Sequence, residues 1–190
     1  GQNGTDVTKE ASSVILMDDN FATLVSAVEE GRVIYRNIRK FIRYLLSCNI
    51  GEVVTMFLAM LMGMPVPLLP IQILLINLVT DGLPAIALGL DPPDSDVMTE
   101  KPRRSGDSIF SGGLLTVILF RGMLIGLTTI AVFSMLLTGG ASLQTARTGA
   151  LAALILTQLI HVFECKSERK TLLHIPFFNN LKLIGAVCVS

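Results

Sequence analysis

Leu68-Leu69-Pro70-Ile71-Gln72-Ile73-Leu74-Leu75-Ile76-Asn77-Leu78-Val79-Thr80-Asp81-Gly82-Leu83-Pro84-Ala85-Ile86-Ala87-Leu88-Gly89-Leu90 is an apolar run of membrane-crossing length with an amide, a hydroxyl and an acid at its middle. On a helix, Asn77, Thr80 and Asp81 are spaced i, i+3, i+4 and share one face. Gly82 and Pro84 weaken the helix just past the acid. A carboxylate at this depth is costly in lipid, so it marks a functional site unless a hydrogen-bonded patch between helices absorbs it.

The surrounding chain supports a membrane setting. Of its 190 residues 51% are hydrophobic and only 16% charged, against about 25% charged in a soluble domain. Mean hydropathy is +0.64. Formal net charge is zero, which removes any bulk electrostatic case for nucleic acid as a partner. Cys48, Cys165 and Cys188 are far apart, match no metal or redox spacing, and read as small apolar residues. The chain does not start with Met and stops within an apolar run, so a longer protein is expected.

Residues 1–31 are soluble in character. Val14-Ile15-Leu16-Met17 predicts a short buried strand, Asp18-Asp19-Asn20 a turn with a helix N-cap, and Phe21 to Glu30 a short amphipathic helix. Thirty residues cannot bury a core alone, so this stretch reads as the end of a larger α/β domain. Arg32, Arg36, Arg39, Lys40 and Arg43 then lead without proline into the first apolar span, about 44–62. A continuous helix from Val33 to Leu61 would be roughly 40 Å long, against about 30 Å for the hydrocarbon core, leaving a basic stalk outside the membrane.

The further spans are expected at about 71–90, 114–137, 149–163 and, cut off by the end of the chain, 181–190. The fold class is therefore all-α, a polytopic transmembrane helix bundle in contact with membrane lipid. The stalk, the 91–112 loop and the 164–180 loop hold nearly all the Lys and Arg, which places them on the cytoplasmic side. Arg121, near the start of the third span, is expected to snorkel to the headgroups.

The first span repeats the polar pattern of the second. Asn49 and Glu52 lie i, i+3 on one face, and a short turn makes the two spans antiparallel neighbours. Glu52 is about eight residues into its span and Asp81 about eleven into the next from the other side, so both reach mid-membrane. Gln158 lies at similar depth in the fourth span. Asn49, Glu52, Asn77, Thr80, Asp81 and Gln158 offer only oxygen ligands, which suit Ca²⁺, Mg²⁺, Mn²⁺ or alkali ions and argue against Zn²⁺ or Cu⁺. Carbonyls freed at Gly82 and Pro84 would add to them. The chemistry favours a divalent cation path and does not separate Ca²⁺ from Mn²⁺. A non-catalytic cation-binding membrane module, or a truncated remnant of a larger protein, is the rival reading from a different class.

Longer motifs carry a resemblance. Gly4-Thr5-Asp6-Val7-Thr8-Lys9-Glu10-Ala11-Ser12, Asp18-Asp19-Asn20-Phe21 and Val28-Glu29-Glu30-Gly31-Arg32 resemble the end of the phosphorylation domain of P-type ATPases. Phe41-Ile42-Arg43-Tyr44-Leu45-Leu46-Ser47-Cys48-Asn49-Ile50-Gly51-Glu52-Val53-Val54 is similar to the fifth transmembrane helix of the calcium pumps, Asn77–Ala85 to the sixth, and Pro92-Pro93-Asp94 to the loop after it. The resemblance implies helices five to eight and the start of the ninth of a ten-helix pump, partnered by helices one to four and cytoplasmic domains outside this chain. It implies residues 1–31 as a remnant of the α/β phosphorylation domain and 32–190 as the transport domain.

The subtype implied is the sarcoplasmic-reticulum one. Sodium and proton-potassium pumps usually carry Pro where this chain has Gly51 and Asp where it has Asn77. Secretory-pathway calcium/manganese pumps usually carry Met in place of Thr80. By resemblance, Asn49, Glu52, Thr80 and Asp81 line a first calcium site, and Asn77 and Asp81 serve a second. Gln158 stands where two-calcium pumps carry Glu, which implies one Ca²⁺ per ATP. The family couples ATP hydrolysis, with Mg²⁺, through an aspartyl-phosphate to alternating access. Proton countertransport is implied, because acids vacated by a cation in a low-dielectric site take up protons. The localisation implied is a multi-pass membrane protein, in the plasma membrane if bacterial and otherwise in an internal or plasma membrane.

Overall fold

A computed structural model describes residues 3–92, 97–99, 101–102, 106–166 and 181–189. Arg103, Arg104, Arg169, Lys170, the Pro93-Asp94 part of the loop motif and 171–180 lie outside the described residues. Helices α1 (Asp6–Glu10), α2 (Phe21–Leu61), α3 (Pro70–Leu75), α4 (Gly82–Gly89), α5 (Leu114–Thr138), α6 (Leu143–Cys165) and α7 (Leu181–Val189) follow one another, with a π-helical turn at Ile76–Thr80 and a 3₁₀ turn at Val97–Thr99. The chain divides into two compact units, Gly1–Arg36 with Pro93–Pro102, and Asn37–Pro92 with Arg103–Ser190.

In the first unit, Thr5 caps α1 by accepting a hydrogen bond from Thr8 N at 3.4 Å. Asn20 Oδ1 accepts from Ala22 N at 3.0 Å, the cap expected where the next helix begins. Arg32 donates to the Val97 carbonyl at 3.0 Å. The strand expected at Val14–Met17 is not formed. Val14 and Met17 are 64% and 78% exposed and the segment is irregular. Four apolar residues make a strand only against a partner strand, and the described residues contain none.

The short helix expected at 21–30 is also corrected. It is the beginning of α2, which continues for 41 residues and about 60 Å. Gly31 has open space around it and costs the helix too little to break it.

The second unit is the apolar bundle. Four helical stretches, Phe21–Leu61, Pro70–Gly89, Leu114–Thr138 and Leu143–Cys165, are long and apolar enough to cross a membrane. Their outer faces are apolar as well: Ile71, Leu74, Leu78, Phe120 and Met135 are all more than 60% exposed, an arrangement that suits lipid. The span expected at 149–163 is longer because Ser142 Oγ accepts from Thr145 N at 3.2 Å and starts α6 before its polar residues 144–148.

Glycine brings α2 and α5 together. A Cβ on Gly126 would lie 2.6 Å from Val54 Cγ1 and 2.9 Å from the Gly51 carbonyl, and one on Gly51 2.6 Å from Ile125 Cγ2. One core cluster joins Ile76, Ile125, Phe133, Ala150 and Leu154. The other joins Tyr44, Cys48, Leu88, Val162 and Leu183. Arg121 is not a free snorkelling side chain. It pairs with Glu164 at 3.1 Å, a partner on the neighbouring helix.

Candidate functional site

The backbone break begins with Pro84. Proline has no N–H to give the carbonyl four residues earlier, which is that of Thr80. The helix upstream widens into the π turn, where Asp81 N donates to Ile76 O at 2.8 Å, one residue beyond α-helical reach. Asp81 then stands at the N-terminus of α4, and Ala85 N donates back to its carbonyl at 3.1 Å. The Thr80 carbonyl accepts instead from the Tyr44 hydroxyl of α2 at 3.2 Å, and the same hydroxyl lies 3.2 Å from Asp81 Oδ1. One hydroxyl proton serves one acceptor well at a time, so the carbonyl and the carboxylate share it.

Three helices bring the other side chains together. Asn77 Nδ2 donates to Glu52 Oε2 at 3.0 Å and to the Ile73 carbonyl at 3.0 Å. Gln158 Nε2 of α6 donates to Glu52 Oε1 at 3.3 Å. Glu52 thereby receives an amide on each oxygen. Thr80, Asp81, Gln158 and Glu52 are all buried, the middle two completely. Two oxygens of this group, Asp81 Oδ2 and Gln158 Oε1, have no hydrogen-bond partner.

Of the residues expected at the site, Glu52, Asn77 and Gln158 are joined directly and Thr80 and Asp81 lie on the same interrupted helix. Asn49 is exposed, outside this hydrogen-bonded group. Among the described residues there is no group of three or more His, Cys, Asp and Glu side chains fit to hold a metal. A cation here would draw on two carboxylates plus amide, hydroxyl and carbonyl oxygens, a set that fits a hard ion.

Tyr44 is not among the residues expected at the site, although its spacing carries a signal. Tyr44, Cys48 and Glu52 recur every four residues and so form one stripe of α2. The Tyr44 ring packs on His161, with centroids 6.2 Å apart. His161 Nδ1 lies 3.1 Å from Glu164 Oε2, the carboxylate that also pairs with Arg121.

The family model described as the C-terminus of cation-transporting ATPases matches residues 65–190. This chain belongs to the cation-transporting ATPase family. Over its whole length it is 55% identical to a calcium-transporting ATPase of Bacillus subtilis (strain 168), covering 21% of that protein. It is 45% identical to calcium-transporting ATPase 1 of Bacillus cereus (strain ATCC 10987 / NRS 248), covering 23% of it. The chain thus spans about a fifth of the length of these curated relatives. It is a multi-pass membrane region of this ATPase family, built of helices, and the fold class is confirmed at that level.

Proposed function

We propose that this chain supplies part of the ion path of an ATP-driven calcium pump, binding Ca²⁺ at mid-membrane and releasing it on the far side from the cytoplasm by alternating access. The observation that carries this reading is the pair of buried acceptors without a donor, Asp81 Oδ2 and Gln158 Oε1, beside Glu52. Buried polar atoms are nearly always paired, and an oxygen-only cluster with idle acceptors is what a hard cation completes. The names of the bacterial relatives support calcium as the ion.

Glu52, Asn77, Thr80, Asp81 and Gln158 are the ligands proposed from this chain, with Asn49 joining from the exposed side of α2 once helices one to four cover it. Asp81 bridges the calcium positions. Gln158, with its amide in place of a third carboxylate beside Glu52 and Asp81, limits the pump to one Ca²⁺ per ATP with proton countertransport. Residues 1–31 form the end of the phosphorylation domain. ATP and Mg²⁺ act in the cytoplasmic domains, since the phosphorylated Asp-Lys-Thr-Gly-Thr motif is not among these residues.

The test is ATP-driven ⁴⁵Ca uptake by inside-out vesicles holding the full-length chain, with bound calcium counted per phosphorylatable enzyme. Uptake released by a calcium ionophore and a ratio near one are expected. Accumulation of another cation in place of calcium would overturn the ion assignment, and a ratio near two the stoichiometry.

A further inference from the structure

Half-helix α4 is held to α2 at both ends, and the second hold lies outside the hydrogen-bonded group of Glu52, Asn77 and Gln158. At its start, Tyr44 reaches Thr80 and Asp81. Just past its end, Lys40 Nζ lies 2.7 Å from Asp91 Oδ2, with the two side chains only 3% and 4% exposed. Asn37 Nδ2 donates to the Asp91 carbonyl at 2.8 Å, so α2 grips both the backbone and the side chain of this residue. Arg39, on the same turn of α2, donates to the carbonyls of Ile109 and Ser111 at 2.8 and 3.1 Å, just before α5.

The upstream half, α3, runs into α4 through the π turn, where the α-helical hydrogen-bond ladder is interrupted. A buried ion pair is a poor source of stability, because desolvation offsets its attraction. Its geometric demand is strict, however: removing one partner leaves a charge stranded. We infer that Lys40 and Asp91 are positioning residues that make α4, and with it Asp81, move with α2, so that the span bends at Ile76–Thr80 when α2 moves. The inference rests on the calcium-pump reading, in which alternating access requires the helices around the ion site to move.

The measurement is the ratio of ⁴⁵Ca transported to phosphate released by the full-length chain in sealed vesicles, alongside calcium-dependent phosphoenzyme. Lys40→Met and Asp91→Leu are expected to lower the ratio about fivefold or more, the size of an ordinary coupling between sites, while phosphoenzyme still forms. The charge-exchanged double variant Lys40→Asp/Asp91→Lys is expected to recover part of the ratio. A merely structural pair would lower protein yield and leave the ratio of the surviving enzyme unchanged, which would overturn the inference.

If the single variants do not accumulate, Lys40→Met/Asp91→Leu removes both charges together and strands neither. A wild-type ratio there overturns the inference, and a lowered ratio supports it. A wild-type protein that forms phosphoenzyme and moves no calcium would strike instead at the pump reading.

Discussion

Gln158→Glu changes one atom group at the centre of the proposed site and tests why this chain carries an amide there. Gln158 Nε2 lies 3.3 Å from Glu52 Oε1. The substitution removes that donor and sets a further carboxylate directly against Glu52. A hydrogen bond to a charged group contributes about 1.5–3 kcal/mol. Two like charges at a separation of about 4 Å repel by about 4 kcal/mol at an effective dielectric of 20. With both of these carboxylates ionised beside Asp81, the metal-free site is penalised by roughly 6 kcal/mol, and a second cation or a proton relieves it. Calcium bound per phosphorylatable enzyme, measured with ⁴⁵Ca under saturating conditions, should rise from near one to near two. The variant should also lose more thermal stability without calcium than with it. A ratio that stays near one in a variant that still phosphorylates, or a wild-type ratio already near two, would refute the reasoning.

Two further substitutions probe the frame around the site. Tyr44→Phe strands the Thr80 carbonyl, which Pro84 cannot serve, and should cost about 1–3 kcal/mol of stability; adding Pro84→Ala returns an N–H and should recover part of it, whereas a single variant that unfolds like wild type would contradict the assigned hydrogen bond. Gly126→Ala places a methyl 2.9 Å from the Gly51 carbonyl, a backbone atom that cannot turn away, and should lower stability by about 1–3 kcal/mol. Gly89→Ala meets nothing within 4 Å and should stay within about 0.5 kcal/mol of wild type; equal unfolding midpoints for the two alanine variants would argue against the close α2–α5 approach.

The spans were legible because a long apolar run has few alternatives in a helical membrane bundle. The weak point at Gly82 and Pro84 was legible too, but its position shifted. Proline's missing N–H acts on the carbonyl four residues upstream, so the irregular turn falls at Ile76–Thr80 and puts Asp81 at its end. What depends on helix rotation was not legible. The i, i+3 spacing of Asn49 and Glu52 gave them a common face, yet only Glu52 is buried and bonded to the π turn and α6, while Asn49 is exposed. Spacing fixes neighbours on one helix and does not say which side of that face another helix covers.

Long-range polar pairs were hidden for the same reason. Arg121 in an apolar span reads as a snorkelling side chain until α6 brings Glu164 to 3.1 Å. Lys40 reads as one member of a basic cluster until Asp91, beyond the next span, is found against it. The apolar run at Val14–Met17 failed in the opposite way. Its composition suits a strand, but a strand is a property of a sheet, and this chain offers it no neighbour among the described residues.

Asp81→Asn in the full-length chain tests the central claim most directly, because it keeps the shape of a fully buried side chain and removes its charge. The readout is phosphoenzyme formed from ATP as a function of calcium. The account predicts that calcium-dependent phosphoenzyme is lost. Phosphoenzyme with an unchanged calcium dependence would remove Asp81 from the ion site and contradict the account.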